Sequence, residues 1–255
     1  MMEKLILITN DDGVGAVGIK LLTELAKEFG RVVVVAPDGA RSGQSNAITV
    51  EHPIYCQKLH EEPNLDIFAC SGTPTDCVKL ALNKILDREP DLILSGINHG
   101  SNSSINVLYS GTMGAVFEGC IQGISSVGFS FCSDNKAIDF TFCLPYFRTI
   151  IEKVLNEPLK KGICLNVNAP LGKIKGIKVC CQGSGVWTEE FDERNKPDGK
   201  RYFWLTGSFV SKSEDDIRSD EWAHKNGFIS IVPQRIDLTD YEAFDQLKNS
   251  GYETL

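Results

Sequence analysis

Four apolar residues and a β-branched one, Leu5-Ile6-Leu7-Ile8-Thr9, run without a polar break into Asn10-Asp11-Asp12-Gly13. An uninterrupted apolar run of this length reads as a strand buried on both faces, the kind found in parallel sheets. The period then changes: residues 19–26 carry apolar side chains at helical spacing, and Gly30 supplies a stop. Residues 32–36 form a second buried strand ending at Pro37-Asp38. Strand, helix and strand in this order predict two parallel neighbours. The polar, glycine-containing stretch 39–46 is then a loop on the ligand edge of the sheet. Residues 48–59 and 65–70 read as further strands in an antiparallel excursion.

Thr73-Pro74-Thr75-Asp76 opens a helix that should run to about residue 87, with Thr73 as cap and Pro74 in the first turn. Residues 91–95 predict a third buried strand, followed by a polar loop from Gly96 to Ser110. A helix starts at Gly111, a strand covers 126–131, a helix 138–155, and a last core strand 163–167. Beyond about residue 180 the character changes. Residues 189–200 are strongly charged, and Tyr202-Phe203-Trp204-Leu205 resembles one arm of a hairpin. Ser219-Asp220-Glu221-Trp222 begins a short helix, and 228–232 is a final strand. The fold class is α/β with a wound, mostly parallel sheet. Residues 1–180 are read as its core, and 181–255 as a C-terminal extension of the same structural domain.

Composition narrows the function classes. Of the 255 residues 42% are apolar and 24% charged, ordinary for a globular protein. No stretch approaches the roughly 20 apolar residues of a membrane span, and no apolar signal segment follows Met1-Met2. A net charge of −8 argues against binding DNA or RNA polymers, while a local cation or helix terminus still permits a small phosphorylated ligand. The nine cysteines are odd in number, scattered among apolar neighbours and free of any C-x-x-C. They give no zinc site and no disulfide framework, so a reducing cytoplasm is expected.

Two chemistries compete for the first loop. Gly13-Val14-Gly15-Ala16-Val17-Gly18 is a G-x-G-x-x-G between a strand and a helix, with Asp38 lying 20 residues after Gly18. That is the fingerprint of an NAD(P)-binding oxidoreductase. Asp11 and Asp12 abut these glycines where a pyrophosphate would rest, and like charges repel. The carboxylates ask for a cation instead. Ser42 and Asn98 follow other strands of the same edge, so Asp11, Asp12, Ser42 and Asn98 form an all-oxygen donor set suited to Mg²⁺, Mn²⁺ or Ca²⁺. Singly, Ser42 and Asn98 read as ordinary loop hydrogen-bonders. Ser110-Gly111-Thr112 at a helix start exposes backbone N–H groups and hydroxyls to an anion, or simply caps the helix. His99 is a candidate proton donor to a leaving group and Arg41 a candidate phosphate partner, each with plain solvation as the alternative. A non-catalytic nucleotide-binding protein would use the same loops.

Taken in order, Asn10-Asp11-Asp12-Gly13, Ala36-Pro37-Asp38 with Arg41-Ser42-Gly43, Gly72-Thr73-Pro74 with Asp76-Cys77-Val78, Ser95-Gly96-Ile97-Asn98, and Tyr109-Ser110-Gly111-Thr112 resemble the SurE (survival protein) nucleotidase family. Asn166-Val167-Asn168 with Pro170, and Tyr202-Phe203-Trp204, are similar to its later motifs, so the likeness spans nearly the whole chain. The resemblance implies a Rossmann-like three-layer fold whose hairpin and helix extension serves oligomerisation, in a homodimer or homotetramer with exchanged arms. It implies one divalent metal ion per subunit on Asp11, Asp12, Ser42 and Asn98 and no organic cofactor. Asn102, Ser110, Gly111 and Thr112 would surround the phosphate. The implied activity is cytoplasmic hydrolysis of nucleoside monophosphates, with Asp11 or Asp12, preferably Asp12, taking the proton of the attacking water. Two positions depart from the family pattern. Gly15 stands where a larger residue is usual, and Pro233-Gln234-Arg235 stands where Pro-Leu-His is common.

Overall fold

The strand β1 (Leu5–Thr9) divides its side chains between two cores. Leu5 and Leu7 pack with Val33, Val35, Cys77 and Val78, whereas Ile6 and Ile8 pack with Ile19, Leu22, Phe147 and Ile151. Side chains alternate along a strand, so a wholly apolar run buries both faces of its sheet. The molecule was obtained as a computed structural model, which describes residues 3–133, 135 and 139–252. Helices α1 (Val17–Ala26) and α4 (Leu144–Asn156) cover one face, and α2 (Pro74–Leu80) and α3 (Gly111–Ile121) cover the other. The result is the expected three-layer α/β fold.

Six strands build the parallel part of the sheet. In spatial order they are β4 (Leu65–Cys70), β2 (Arg31–Pro37), β1, β5 (Leu92–His99), β6 (Ser126–Phe131) and β7 (Ile163–Ala169). On one flank β3 (Cys56–Glu62) adds antiparallel to β4. On the other flank β13 (Phe228–Arg235) runs antiparallel to β7 and carries β8 (Gly176–Val179) beyond it. Two antiparallel ribbons stand apart from the sheet: β9 (Gly185–Thr188) with β12 (Ser208–Ser211), and β10 (Phe191–Asn195) with β11 (Arg201–Leu205). Helix α5 (Asp220–Lys225) is capped by Ser219, and α6 (Tyr241–Asn249) buries no residue.

Several boundaries differ from the sequence expectation. The strand expected over 48–59 forms only from Cys56, because 46–55 is occupied with other partners. Thr49 gives its backbone N–H and hydroxyl to the Asp76 carboxylate, and Thr73 gives its hydroxyl to the Ala47 carbonyl. The helix expected to reach residue 87 ends at Leu80 and continues as one π turn, Ala81–Ile85. The expected strand at 91–95 runs on through Asn98 to His99, so part of the presumed loop is sheet. Of the helix expected over 138–155, Ile138 lies outside the described residues; Thr141–Cys143 forms a 3₁₀ turn and α4 follows, with Pro145 in its first turn. Strand β8 and helix α6 have no counterpart in the expectation, and the single expected hairpin is two ribbons, β9 with β12 and β10 with β11. Arg235, at the departure from the family pattern, lies over the Tyr241 ring at 5.9 Å and so ties the end of β13 to α6.

The glycine fingerprint separates on inspection. A Cβ on Gly18 would stand 1.9 Å from the Ile97 carbonyl oxygen, so α1 lies against β5 with no room for a side chain. A Cβ on Gly15 would meet nothing within 4 Å. Gly15→Ser is therefore expected to leave stability within about 0.5 kcal/mol of the parent. Gly18→Ser should cost about 3 kcal/mol or more, because backbone must move. Chemical denaturation of the two variants checks this; equal midpoints would contradict it.

Candidate active site

The carboxyl ends of β1, β2 and β5 bring three polar loops to one edge. Asn10 braces the first, its side chain giving an N–H to the Gly13 carbonyl at 2.9 Å and accepting the Gly13 N–H at 3.2 Å. Gly13 takes φ +97, a left-handed conformation suited to glycine. The Arg41 N–H donates to the Asp11 carbonyl at 2.7 Å, which fastens the Ser42 loop to the Asp11 loop. In β5 the register against β6 slips between Ser95 and Asn98. Gly96 sits at the slip, where a Cβ would stand 2.2 Å from the Phe129 carbonyl oxygen. An irregularity of this sort re-aims the residues that follow, here Asn98 and His99.

Asp11 is buried at the start of α3. The Thr112 hydroxyl donates to its Oδ1 at 2.6 Å, and a Cβ on Gly111 would touch the same side chain. Burial, with a smaller contribution from Asp12, raises the Asp11 carboxyl to about 6 against the lowering effect of Thr112. Asp12 turns the other way. Its Oδ2 accepts the His99 backbone N–H at 3.2 Å and lies 3.7 Å from His99 Nδ1. Among the described residues no lysine or arginine pairs with either carboxylate. Arg41 does not reach a phosphate position but holds Asp38 at 3.0 Å and the Ser71 carbonyl. His99 is largely but not fully covered, edge-on to Phe140, and its Nε2 has no hydrogen-bond partner among the described residues.

A cavity of about 680 Å³ opens on this edge, large enough for a mononucleotide. Asp11, Ser42, Asn98, Asn102 and Ser110 all line it. Asp12, Gly111 and Thr112 do not line it; Thr112 is joined to the lining through its hydrogen bond to Asp11. Asn98 gives its amide N–H to the Gly100 carbonyl at 2.9 Å, which leaves its Oδ1 as the available oxygen. Asn102 is fixed from three directions, by Ser130, Asn166 and Asn168. Ser110 caps α3 by accepting the Met113 N–H, so its own proton is free for another acceptor.

The opposite part of the cavity comes from residues that no local pattern singles out. Trp187 donates Nε1–H to Asn106 at 2.9 Å and packs against Phe209 with ring centroids 5.8 Å apart. Cys132, Glu190, Leu205, Thr206, Glu221 and His224 line it as well. Burial pushes the Cys132 thiol up to about 12 and the His224 imidazole down to about 4, so both are neutral at pH 7. Trp187 and Phe209 cover each other and the cavity. Only long-range pairing of β9 with β12 brings them together.

The donor set fits a hard cation. The Asp11 carboxylate, an amide oxygen and a serine hydroxyl line one cavity from three loops, with Asp12 adjacent in the chain and no sulfur among the four. Among the described residues no three His, Cys, Asp or Glu side chains cluster as a metal site. Such a site would therefore need the neutral oxygens of Ser42 and Asn98.

The family model for Survival protein SurE matches residues 6–189. The 5′-nucleotidase SurE of Phocaeicola vulgatus is 48% identical over 252 residues, covering 98% of this chain and 98% of its own length. That of Caldanaerobacter subterraneus subsp. tengcongensis is 43% identical over 247 residues, covering 96% of each. Among solved structures, the SurE protein from Aquifex aeolicus superposes with a TM-score of 0.83 at 37% identity, covering 96% of this chain and 98% of that one.

Proposed function

The chain belongs to the SurE family of survival proteins, and on that footing we propose that its cavity is the active site of a metal-dependent 5′-nucleotidase. The substrate is a nucleoside monophosphate, and the products are the nucleoside and phosphate. The comparisons name nucleotidases and lend nothing to the oxidoreductase reading of the glycine loop. The observation that carries the proposal is the buried Asp11 carboxylate, next to Asp12 in the chain and with neither matched by lysine or arginine among the described residues, beside the α3 N-terminus on a nucleotide-sized cavity.

Asp11, Asp12, Ser42 and Asn98 would hold one Mg²⁺ or Mn²⁺. When bound, the cation supplies Lewis acidity toward a phosphoryl oxygen and acidifies the attacking water. The protein's own groups do the rest. Ser110 turns its hydroxyl toward the phosphate, Asn102 offers its second amide hydrogen, and the first turn of α3 at Gly111 and Thr112 supplies positive dipole. Thr112 holds the Asp11 carboxylate in place by its hydroxyl. Asp11 lines the cavity and keeps a second carboxylate oxygen beyond the one bound by Thr112, which suits it to take a proton from water. Trp187 and Phe209 provide an apolar surface for the base and keep bulk water from it.

No helix among the described residues is long and apolar enough to cross a membrane. Free thiols throughout support the proposed cytoplasmic setting. The projecting aromatic ribbon supports assembly into a dimer or tetramer. Phosphate release from a panel of nucleoside 5′- and 3′-monophosphates, with and without a chelator, tests the activity. Release should stop on chelation and return with Mg²⁺ or Mn²⁺; full release in excess chelator would overturn the metal assignment.

A further inference from the structure

Among the described residues, the charged side chains that line the cavity beyond its two histidines are Asp11, Glu190 and Glu221, with no lysine or arginine. A bound cation would serve Asp11. It leaves Glu190 and Glu221 unopposed, and neither forms an ion pair with any described residue. Glu221 is held in place from the N-terminal half of the chain: the Ser103 hydroxyl donates to its Oε1 at 2.6 Å. Its Oε2 has no donor among the described residues. Behind it a hydrogen bond joins Ser103 to Ser101 at 2.6 Å, and weaker sulfur contacts continue from Ser101 to Cys132 at 3.6 Å and from Cys132 to His224 Nδ1 at 3.6 Å. The histidine is neutral and does not balance the carboxylate. Burial and the nearby Asp220 and Glu214 raise the Glu221 carboxyl, the behaviour of a negative charge held without compensation.

A carboxylate with a free oxygen in a partly closed cavity accepts hydrogen bonds from paired hydroxyls, as acidic residues do from ribose in nucleotide sites. The same charge repels a second phosphate, and the surrounding protein screens that repulsion less than water would. Resting on the phosphomonoesterase reading above, we propose that Glu221, backed by Glu190, makes this cavity select monoesters whose leaving group is uncharged and rich in hydroxyls, the ribose of a nucleoside, and reject substrates carrying further phosphates. Glu221 is thus a specificity residue whose contact is the sugar, while the loops around Asp11 hold the one phosphate.

The test compares kcat/KM for adenosine 5′-monophosphate, its 2′-deoxy analogue, adenosine 3′,5′-bisphosphate and tripolyphosphate in the parent, Glu221→Gln and Glu190→Gln. The parent should favour the ribonucleoside monophosphate over each of the other three. Glu221→Gln should narrow the ribose-to-deoxyribose ratio about tenfold, the fold-change associated with one hydrogen bond to a charged acceptor. Both variants should raise relative turnover of the bisphosphate and of tripolyphosphate. A merely structural role would lower all four substrates together and leave the ratios unmoved, and that result would overturn the proposal. So would a parent enzyme that hydrolyses tripolyphosphate as readily as the monophosphate. Failure to release phosphate from any of the four with Mg²⁺ or Mn²⁺ present is a different outcome; it removes the phosphatase reading and this inference with it.

Discussion

Asp11→Asn is expected to cut phosphate release by about a thousandfold, the rate equivalent of several kcal/mol of charge stabilisation, and at the same time to make the metal-free protein more stable at neutral pH. The two effects have one origin. The Asp11 carboxyl is raised from its ordinary 3.8 to about 6, chiefly because it is buried. A group whose folded-state pKa lies above its unfolded one binds its proton more tightly when folded. The stability it contributes is complete below about pH 4 and is lost as pH rises through about 6. At pH 7.5 the ionised Asp11 therefore costs the metal-free fold roughly 3 kcal/mol. Asparagine removes the charge and keeps an oxygen to accept the Thr112 hydroxyl. In chelator, the variant should melt several degrees above the parent at pH 7.5, and the two should converge near pH 4. Mg²⁺ or Mn²⁺ should raise the melting temperature of the parent and do much less for the variant. Equal melting curves at pH 7.5, or activity that survives the substitution, would sink this account.

The second large effect concerns the ribbon of β10 and β11. Its strands pair with each other and with no strand of the main sheet. Phe191, Phe203, Trp204 and Leu205 are all more than half exposed on it. Alternation places Tyr202 and Trp204 on one face and Phe203 and Leu205 on the other, so both faces carry apolar groups. Ion pairs of Arg194 with Asp192 and of Arg201 with Glu193 lie at the surface and contribute little. An isolated two-stranded ribbon is marginal in water, so these side chains need a surface, and a second copy of the chain is the proposed one. Trp204→Ala with Tyr202→Ala should weaken association by about 2 kcal/mol or more for each anchor, roughly thirtyfold apiece. Sedimentation should show the parent as a dimer or larger at micromolar concentration and the double variant shifted toward monomer. A monomeric parent would refute the assignment and leave the ribbon folded against its own chain.

Legibility tracked the range of the interactions. The β1 run, the Thr73-Pro74-Asp76 cap and the small-residue start of α3 were readable because each depends on neighbours within a few positions. Thr73 and Asp76 form the reciprocal capping bonds that their spacing promises. Residues 48–55 misled because Ile48, Val50 and Ile54 look like a strand, while the segment is held by Asp76 and Thr73 from 26 or 27 positions away. The fingerprint Gly13-Gly15-Gly18 was set aside correctly although two of its glycines answer real steric demands: the charges of Asp11 and Asp12 and the departure at Gly15 both argued against a dinucleotide. On the ligand edge, the strand-end rule brought Asp11, Ser42 and Asn98 to one cavity. It was silent on Trp187, Phe209 and Glu221, because their positions depend on ribbon pairing and on Ser103, 118 positions before Glu221.

The place of β13 has a consequence for synthesis on the ribosome. Ser230 pairs with Asn168 and Val232 with Asn166, so the strand that covers β7 emerges some sixty residues after it. In that interval β7 is an open edge, its N–H and C=O groups unpaired along an apolar strand, which invites pairing with another nascent chain. The intervening 170–227 stretch includes the proposed assembly ribbon, so contact between chains is offered before either sheet is closed. Slow elongation through this stretch should therefore raise the yield of aggregated or strand-exchanged chains, and rapid arrival of residues 228–235 should suppress it.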